Sequence, residues 1–200
     1  MSTASSPSYG LSDYVRTIAD VLAKNPAPPV IVREVSAATT RLIADDRWLE
    51  PRYRRGSPDC YTRHLLHRDP QNRFVVLVLV WMPGQMTPIH DHSCWGVMGI
   101  VENTLDEVTF DRLDDGKRPD FAELQQTRVT AVGEGTVAHL LPPYEEIHRI
   151  GNTSDRPTIS LHVYGRDLDE VNVFDQATGK VGRMRIKYYS PECGDQPFVI

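Results

Sequence analysis

An antiparallel β-barrel or sandwich entered through a short helical segment, mainly β or α+β in class, is the fold this sequence predicts. Apolar residues recur at helical spacing only near the start of the chain. Beyond Pro51 the chain breaks into short runs of Val, Ile, Leu, Thr and Tyr, separated by Gly, Pro, Asn and Asp. Helices precede strands and do not alternate with them, which argues against a βαβ fold.

The helical pattern runs from Leu11 to about Ala44. Leu11, Tyr14, Val15, Ile18, Val21 and Leu22 share one face, and Ser12–Asp13 stand where a cap is needed. Pro26, Pro28 and Pro29 interrupt it. A second helical pattern follows in Val35, Ala38, Leu42 and Ile43, with Ser36 as its cap. Strands are expected near residues 60–67, 73–82, 86–90, 94–102, 105–111, 122–130, 135–141, 147–151, 157–164, 170–175 and 182–189. The nine apolar residues from Phe74 to Met82 suit a strand buried on both faces and are too few to cross a bilayer as a helix. A chain of 200 residues fits one domain, with a helical segment over 1–50 and a barrel over 58–190.

The net charge of −5, with no basic run, argues against nucleic acid or an anionic membrane as partner. The first seven residues, Met1 to Pro7, lack the basic start and apolar stretch of a secretory signal. Cys60, Cys94 and Cys193 are odd in number and have no metal-knuckle spacing, so reduced thiols and a cytoplasmic location are expected.

The segment Gly84–His92 carries the most chemistry. Residues two apart on a strand face the same way, so His90 and His92 can present two imidazoles to one point while Asp91 points elsewhere. A His-x-His pair alone also suits a strand surface without metal. A third imidazole has its best candidate in His148, within Pro143-Tyr-Glu-Glu-Ile-His148-Arg-Ile-Gly-Asn152. Gly, five residues, His-x-His, then Pro-x-x-x-x-His-x-x-x-Asn resembles the paired motifs of the cupin family. That resemblance implies a barrel with a metal held by His90, His92 and His148. Cupins usually add a Glu four or five residues after the second His; Gly96 and Val97 stand there. Glu145 stands where the second motif usually has Gly. Three neutral imidazoles remain, and imidazole serves Fe, Zn, Cu and Ni alike.

A second pattern is Ser160-Leu-His162-Val-Tyr164. Alternation puts Ser160, His162 and Tyr164 in line on one strand face, each able to hydrogen-bond the next. It is no serine-hydrolase triad, since no carboxylate orients the His and no nucleophile elbow is present. A polar strand face turned to solvent would read the same way.

Three segments together resemble the thiol dioxygenases, the cysteine dioxygenase family. Tyr61-Thr-Arg63-His-Leu65 is similar to its substrate-carboxylate segment, Ile89-His-Asp-His92 with His148 to its iron site, and Ser160 to Tyr164 to its Ser–His–Tyr relay. Phe174-Asp-Gln-Ala-Thr-Gly179 is similar to its C-terminal strand turn. The resemblance implies oxidation of a small carboxylated thiol, L-cysteine first, to its sulfinic acid with O₂ at a three-histidine Fe(II) site. It gives Arg63 and Tyr61 to the substrate and Tyr164, with His162 and Ser160 behind it, to catalysis. Many animal-type members have a Cys bonded to the active-site Tyr; Gly96 aligns there, so no crosslink is expected. Tyr164-Gly165-Arg166 is similar to the 3-mercaptopropionate dioxygenases, which however carry Gln in place of Arg63. That related activity is the alternative, with a cupin isomerase on another metal or a non-enzymatic small-molecule-binding cupin further off. Arg166, His64, His67 and His139 are read as surface or structural residues, and Trp81 and Trp95 as core or pocket wall.

Overall fold

The computed structural model describes residues 9–143 and 146–188. The first seven residues, Glu145, Cys193 and the end of the last expected strand lie outside the described residues.

The chain opens with helix α1 (Leu11–Ala23), which buries Tyr14 and Ile18 on one stripe. Its cap is Gly10, whose N–H donates to the Asp13 carboxylate at 3.2 Å, so Ser12 does not cap the helix as expected. Helix α2 (Pro28–Ile43) begins at the prolines themselves. A proline in the first turn forfeits an N–H that would have had no helical partner, so Pro28 and Pro29 start this helix. Ser36 therefore lies inside α2, correcting its expected role as cap. Val35 and Leu42 are fully buried, and the Tyr14 and Thr39 hydroxyls bond at 2.6 Å between the two helices. A short 3₁₀ turn, Pro51–Arg54, leads to the strands.

Among the described residues eleven strands follow: β1 (Thr62–Arg68), β2 (Val75–Trp81), β3 (Ile89–His90), β4 (Gly96–Glu102), β5 (Thr104–Arg112), β6 (Leu124–Gly133), β7 (Val137–Leu140), β8 (His148–Gly151), β9 (Thr158–Tyr164), β10 (Glu170–Phe174) and β11 (Val181–Arg185). They form two antiparallel sheets, β1-β2-β9-β4-β7 and β11-β10-β3-β8-β5-β6. Each expected strand overlaps one of these.

Strands β2 and β9 are buried along their whole length. The even residues of β2 (Val76, Val78, Val80) and Ile159, Leu161 and Val163 of β9 pack with α1 and α2. The odd residues Leu77, Leu79 and Trp81, with Met98, Ile100, Leu105 and Ile150, form a second cluster between the sheets. Gly99 of β4 lets α2 sit down on the sheet: a Cβ there would stand 2.7 Å from Thr39 Cγ2 and 3.0 Å from Ile43 Cδ1. The helices thus seal one face of β9, and its other face is turned into the barrel.

The β1–β2 hairpin is tied by Asp69. Its buried carboxylate accepts the N–H groups of Gln71 (3.0 Å) and Arg73 (3.1 Å) and the Arg73 guanidinium at 2.7 Å. The Arg73 hydrogen bond leads in holding this carboxyl at about 2, below its ordinary 3.8. A depressed carboxylate stabilises the fold above its unfolded value and loses that contribution as pH falls through the folded one. Asp69→Asn is expected to cost about 2 kcal/mol near neutrality. In urea titrations the gap from wild type should close between about pH 4 and pH 2; a gap constant over that range would show that the ion pair is not its source.

Candidate metal centre

His90 ends β3 and lies opposite His148 of β8, while His92 lies just past the strand end in the following loop. Asp91 pins that loop from outside: its carboxylate accepts the Asn172 N–H at 3.0 Å and the Asn172 amide at 2.5 Å. The three rings meet at centroid distances of 4.7, 4.9 and 5.0 Å. One ligand-capable atom from each lies within 4.8 Å of the others, and all three residues are buried.

The Nδ1 atoms fix which nitrogen faces inward. His90 Nδ1 lies 3.0 Å from the Pro88 carbonyl, His92 Nδ1 3.4 Å from the Glu146 carbonyl, and His148 Nδ1 2.8 Å from Glu107 Oε1. These partners only accept, so each Nδ1 carries the hydrogen and each Nε2 presents a lone pair. His148 Nε2 is buried with no hydrogen-bond partner. An orphaned acceptor beside two further imidazoles is the arrangement a cation completes. Burial first, then the cationic forms of neighbouring groups, pull His90 down to about 3 and His92 well below its ordinary value. Both stay neutral near pH 7, the state a metal requires.

Glu107 is the group that sequence reasoning missed. It stands on β5, paired with Ile150 of β8, and is as buried as the histidine it holds. The cupin carboxylate absent after His92 has no replacement as a ligand among the described residues, yet a carboxylate reaches the site through His148. Such a partner orients the ring and raises its basicity. Nothing local marks it, because its partner His148 lies on another strand.

Of the other predicted residues, His162 and Tyr164 line one small cavity with His148, Glu107, Met98 and Leu140. Ser160 Oγ lies 2.8 Å from His162 Nε2, and His162 Nδ1 lies 3.0 Å from the Tyr164 oxygen. Burial, followed by Arg63, holds His162 well below its ordinary value, so the ring is neutral. Burial pushes the Tyr164 phenol far up, and it stays protonated. Its ring stacks on His92 at 5.2 Å and 16°. Arg63, on β1 opposite Leu79, is buried, with no partner for Nε and no ion pair to any described residue. Its positive charge lowers His90, His92, His162 and Tyr164, so it lies within electrostatic reach of the cluster. Tyr61 stacks on Trp81 at 4.3 Å and 21°. Arg166 is exposed and donates to Ser93 Oγ at 3.0 Å. His64 bonds the Arg55 carbonyl at 2.8 Å, His67 packs on Phe74 and His139 is exposed.

Two antiparallel sheets enclosing three converging imidazoles define a cupin-type barrel with a metal-binding site. Residues 1–177 match the family model described as cysteine dioxygenase type I. The chain belongs to that family. It is 28% identical over 134 residues to cysteine dioxygenase type 1 of Rattus norvegicus, and 27% identical over 138 residues to that of Danio rerio. Each alignment covers 65% of this chain and 63% of the relative, so the chain spans a little under two thirds of those proteins. Among solved structures, an uncharacterised protein with a double-stranded β-helix domain from Klebsiella pneumoniae superposes with TM-score 0.45 at 19% identity. That superposition covers 62% of this chain and 87% of the other.

Gly96 lies against the Tyr164 ring: a Cβ there would stand 3.2 Å from Tyr164 Cδ1. With glycine at this point of contact no sulfur is supplied, and Tyr164 is expected to remain an unmodified phenol. Intact-mass spectrometry after turnover should show no loss of two hydrogens. A Cys94–Tyr164 bond in the peptide map would overturn this.

Proposed function

We propose that this chain is a thiol dioxygenase that converts a small carboxylated thiol, L-cysteine first, to its sulfinic acid with O₂ at a ferrous site held by His90, His92 and His148. The observation that carries this reading is Arg63, a buried guanidinium within electrostatic reach of the histidine cluster, with no carboxylate partner among the described residues. A buried cation is costly unless an anion completes it, and a bidentate guanidinium fork suits a carboxylate. Family membership supports the reaction class.

Bound iron would supply the redox-active, thiolate-stabilising centre on which O₂ is used; the donor set of three neutral imidazoles fits such an ion. The chain's own residues do the rest. Arg63 clamps the carboxylate and so fixes where the sulfur lies. Tyr164, held by His162, keeps its proton and can donate it as a hydrogen bond to oxygen or carboxylate in the cavity. Leu77, Leu79, Met98 and Ile100 exclude water around this face of β9. Both oxygen atoms go to sulfur, which loses four electrons as O₂ gains four. The thiol hydrogen is released to solvent when the sulfinic acid ionises. This stops two rungs up the thiol oxidation ladder.

Tyr164-Gly165-Arg166 supports 3-mercaptopropionate as the second candidate substrate. We also propose a reducing, cytoplasmic setting, in keeping with Cys94, a free thiol; no described helix is long and apolar enough to cross a membrane. The test is anaerobic loading with Fe(II), then O₂ uptake and sulfinate formation with cysteine, 3-mercaptopropionate and cysteamine. One O₂ per sulfinate with a carboxylated thiol is the expected result. Iron binding without sulfinate from any of the three would sink this reading.

A further inference from the structure

The hydrogen bonds linking Ser160, His162 and Tyr164 can run in two directions. In one, Ser160 donates to His162 Nε2, Nδ1–H donates to the Tyr164 oxygen, and the phenol hydrogen is left for the cavity. In the other, Tyr164 donates to Nδ1, Nε2–H donates to Ser160, and the serine hydrogen is left over. A neutral imidazole has one N–H, so the two exclude each other.

Trp81 decides between them. Its indole nitrogen can only donate, and it does so to Ser160 Oγ at 2.9 Å. Ser160 is fully buried, and among the described residues its hydroxyl meets only Trp81 and His162. If His162 also donated to it, the serine hydrogen would have no acceptor, an unmade buried hydrogen bond. If Ser160 donates to His162, every hydrogen behind Tyr164 is used, and the phenol hydrogen faces the cavity that it shares with His148. The indole itself is fixed: Trp81 is fully buried, Tyr61 stacks on it, and its carbonyl accepts the Asn152 amide at 3.0 Å. We infer that Trp81 is a positioning residue that sets the direction of the relay, so that Tyr164 enters the site as a hydrogen donor. The kinetic part of this inference rests on the thiol dioxygenase reading; the direction of the relay does not.

Trp81→Phe removes the donor and keeps an aromatic ring, and 3-benzothienylalanine at the same position keeps the bicyclic shape without an N–H. In Zn(II)-loaded protein labelled with ¹⁵N-histidine, wild-type His162 should be the Nδ1–H tautomer. In both variants the Nε2–H form should rise severalfold. In Fe(II)-loaded protein kcat should fall roughly tenfold, about the worth of one hydrogen bond, with the thiol KM within about twofold. An Nε2–H tautomer in wild type, or a tautomer unmoved by either replacement, would overturn the assigned direction. A moved tautomer with unchanged kcat would overturn its role in the reaction. If the tautomer moves and wild type oxidises no thiol, the direction stands and the proposed reaction fails. Should the phenylalanine variant not fold, the benzothienyl protein decides.

Discussion

His148→Ala is expected to emerge from Fe(II) loading with no bound iron and no O₂ uptake. Two effects add. The site loses one of three converging lone pairs, and two imidazoles do not make a facial site. Glu107, buried against the missing ring, loses the hydrogen bond from its neutral partner, about 1.5–3 kcal/mol. The protein should therefore also melt earlier, which His90→Ala and His92→Ala should do less, since their Nδ1 partners are backbone carbonyls. Glu107→Gln keeps a hydrogen-bond acceptor but removes the charge, and metal affinity should fall about 10- to 100-fold with the fold intact. Metal titration and thermal unfolding on the four proteins check this. Full iron occupancy in His148→Ala would remove that residue from the ligand set.

Arg63→Ala should cost about 2–4 kcal/mol of transition-state stabilisation with cysteine, read from kcat/KM, because the substrate carboxylate would sit unpaired in a buried site. The loss should shrink with cysteamine, which has no carboxylate to misplace. Arg63→Gln should be milder and move preference toward 3-mercaptopropionate, following the residue found in those relatives. Equal losses with cysteine and cysteamine would mean that Arg63 supports the fold or the metal. Arg166, exposed and bonded to Ser93, would then be the next candidate for the carboxylate.

Much of this architecture could be read from the chain because strand periodicity is strict where one face is buried. The alternation in Ser160–Tyr164 placed three polar groups on one side, and the structure puts that side in the barrel. The apolar run after Phe74 read correctly as a strand buried on both faces. The beginning of α2 was harder. Prolines signal both the end of one helix and the first turn of another, and only the residues around Ala27 decide which. Glu107 escaped for a different reason. Its role depends on His148, 41 residues away, and no local pattern marks a carboxylate that will meet an imidazole across a sheet. Trp81 was legible as core and not as a donor, since its partner Ser160 lies 79 residues further on.

Strand β9 serves two masters at a spacing of two residues. Ile159, Leu161 and Val163 hold the helices, while Ser160, His162 and Tyr164 face the barrel interior. A slip of one residue against β2 or β4 would exchange the sets, sending three polar groups under the helices and three hydrocarbons into the cavity. Folding to the wrong register therefore forfeits the helix–sheet core together with the relay. The β2–β9–β4 pairing thus proofreads itself: a slipped chain cannot persist as a well-folded but inactive protein.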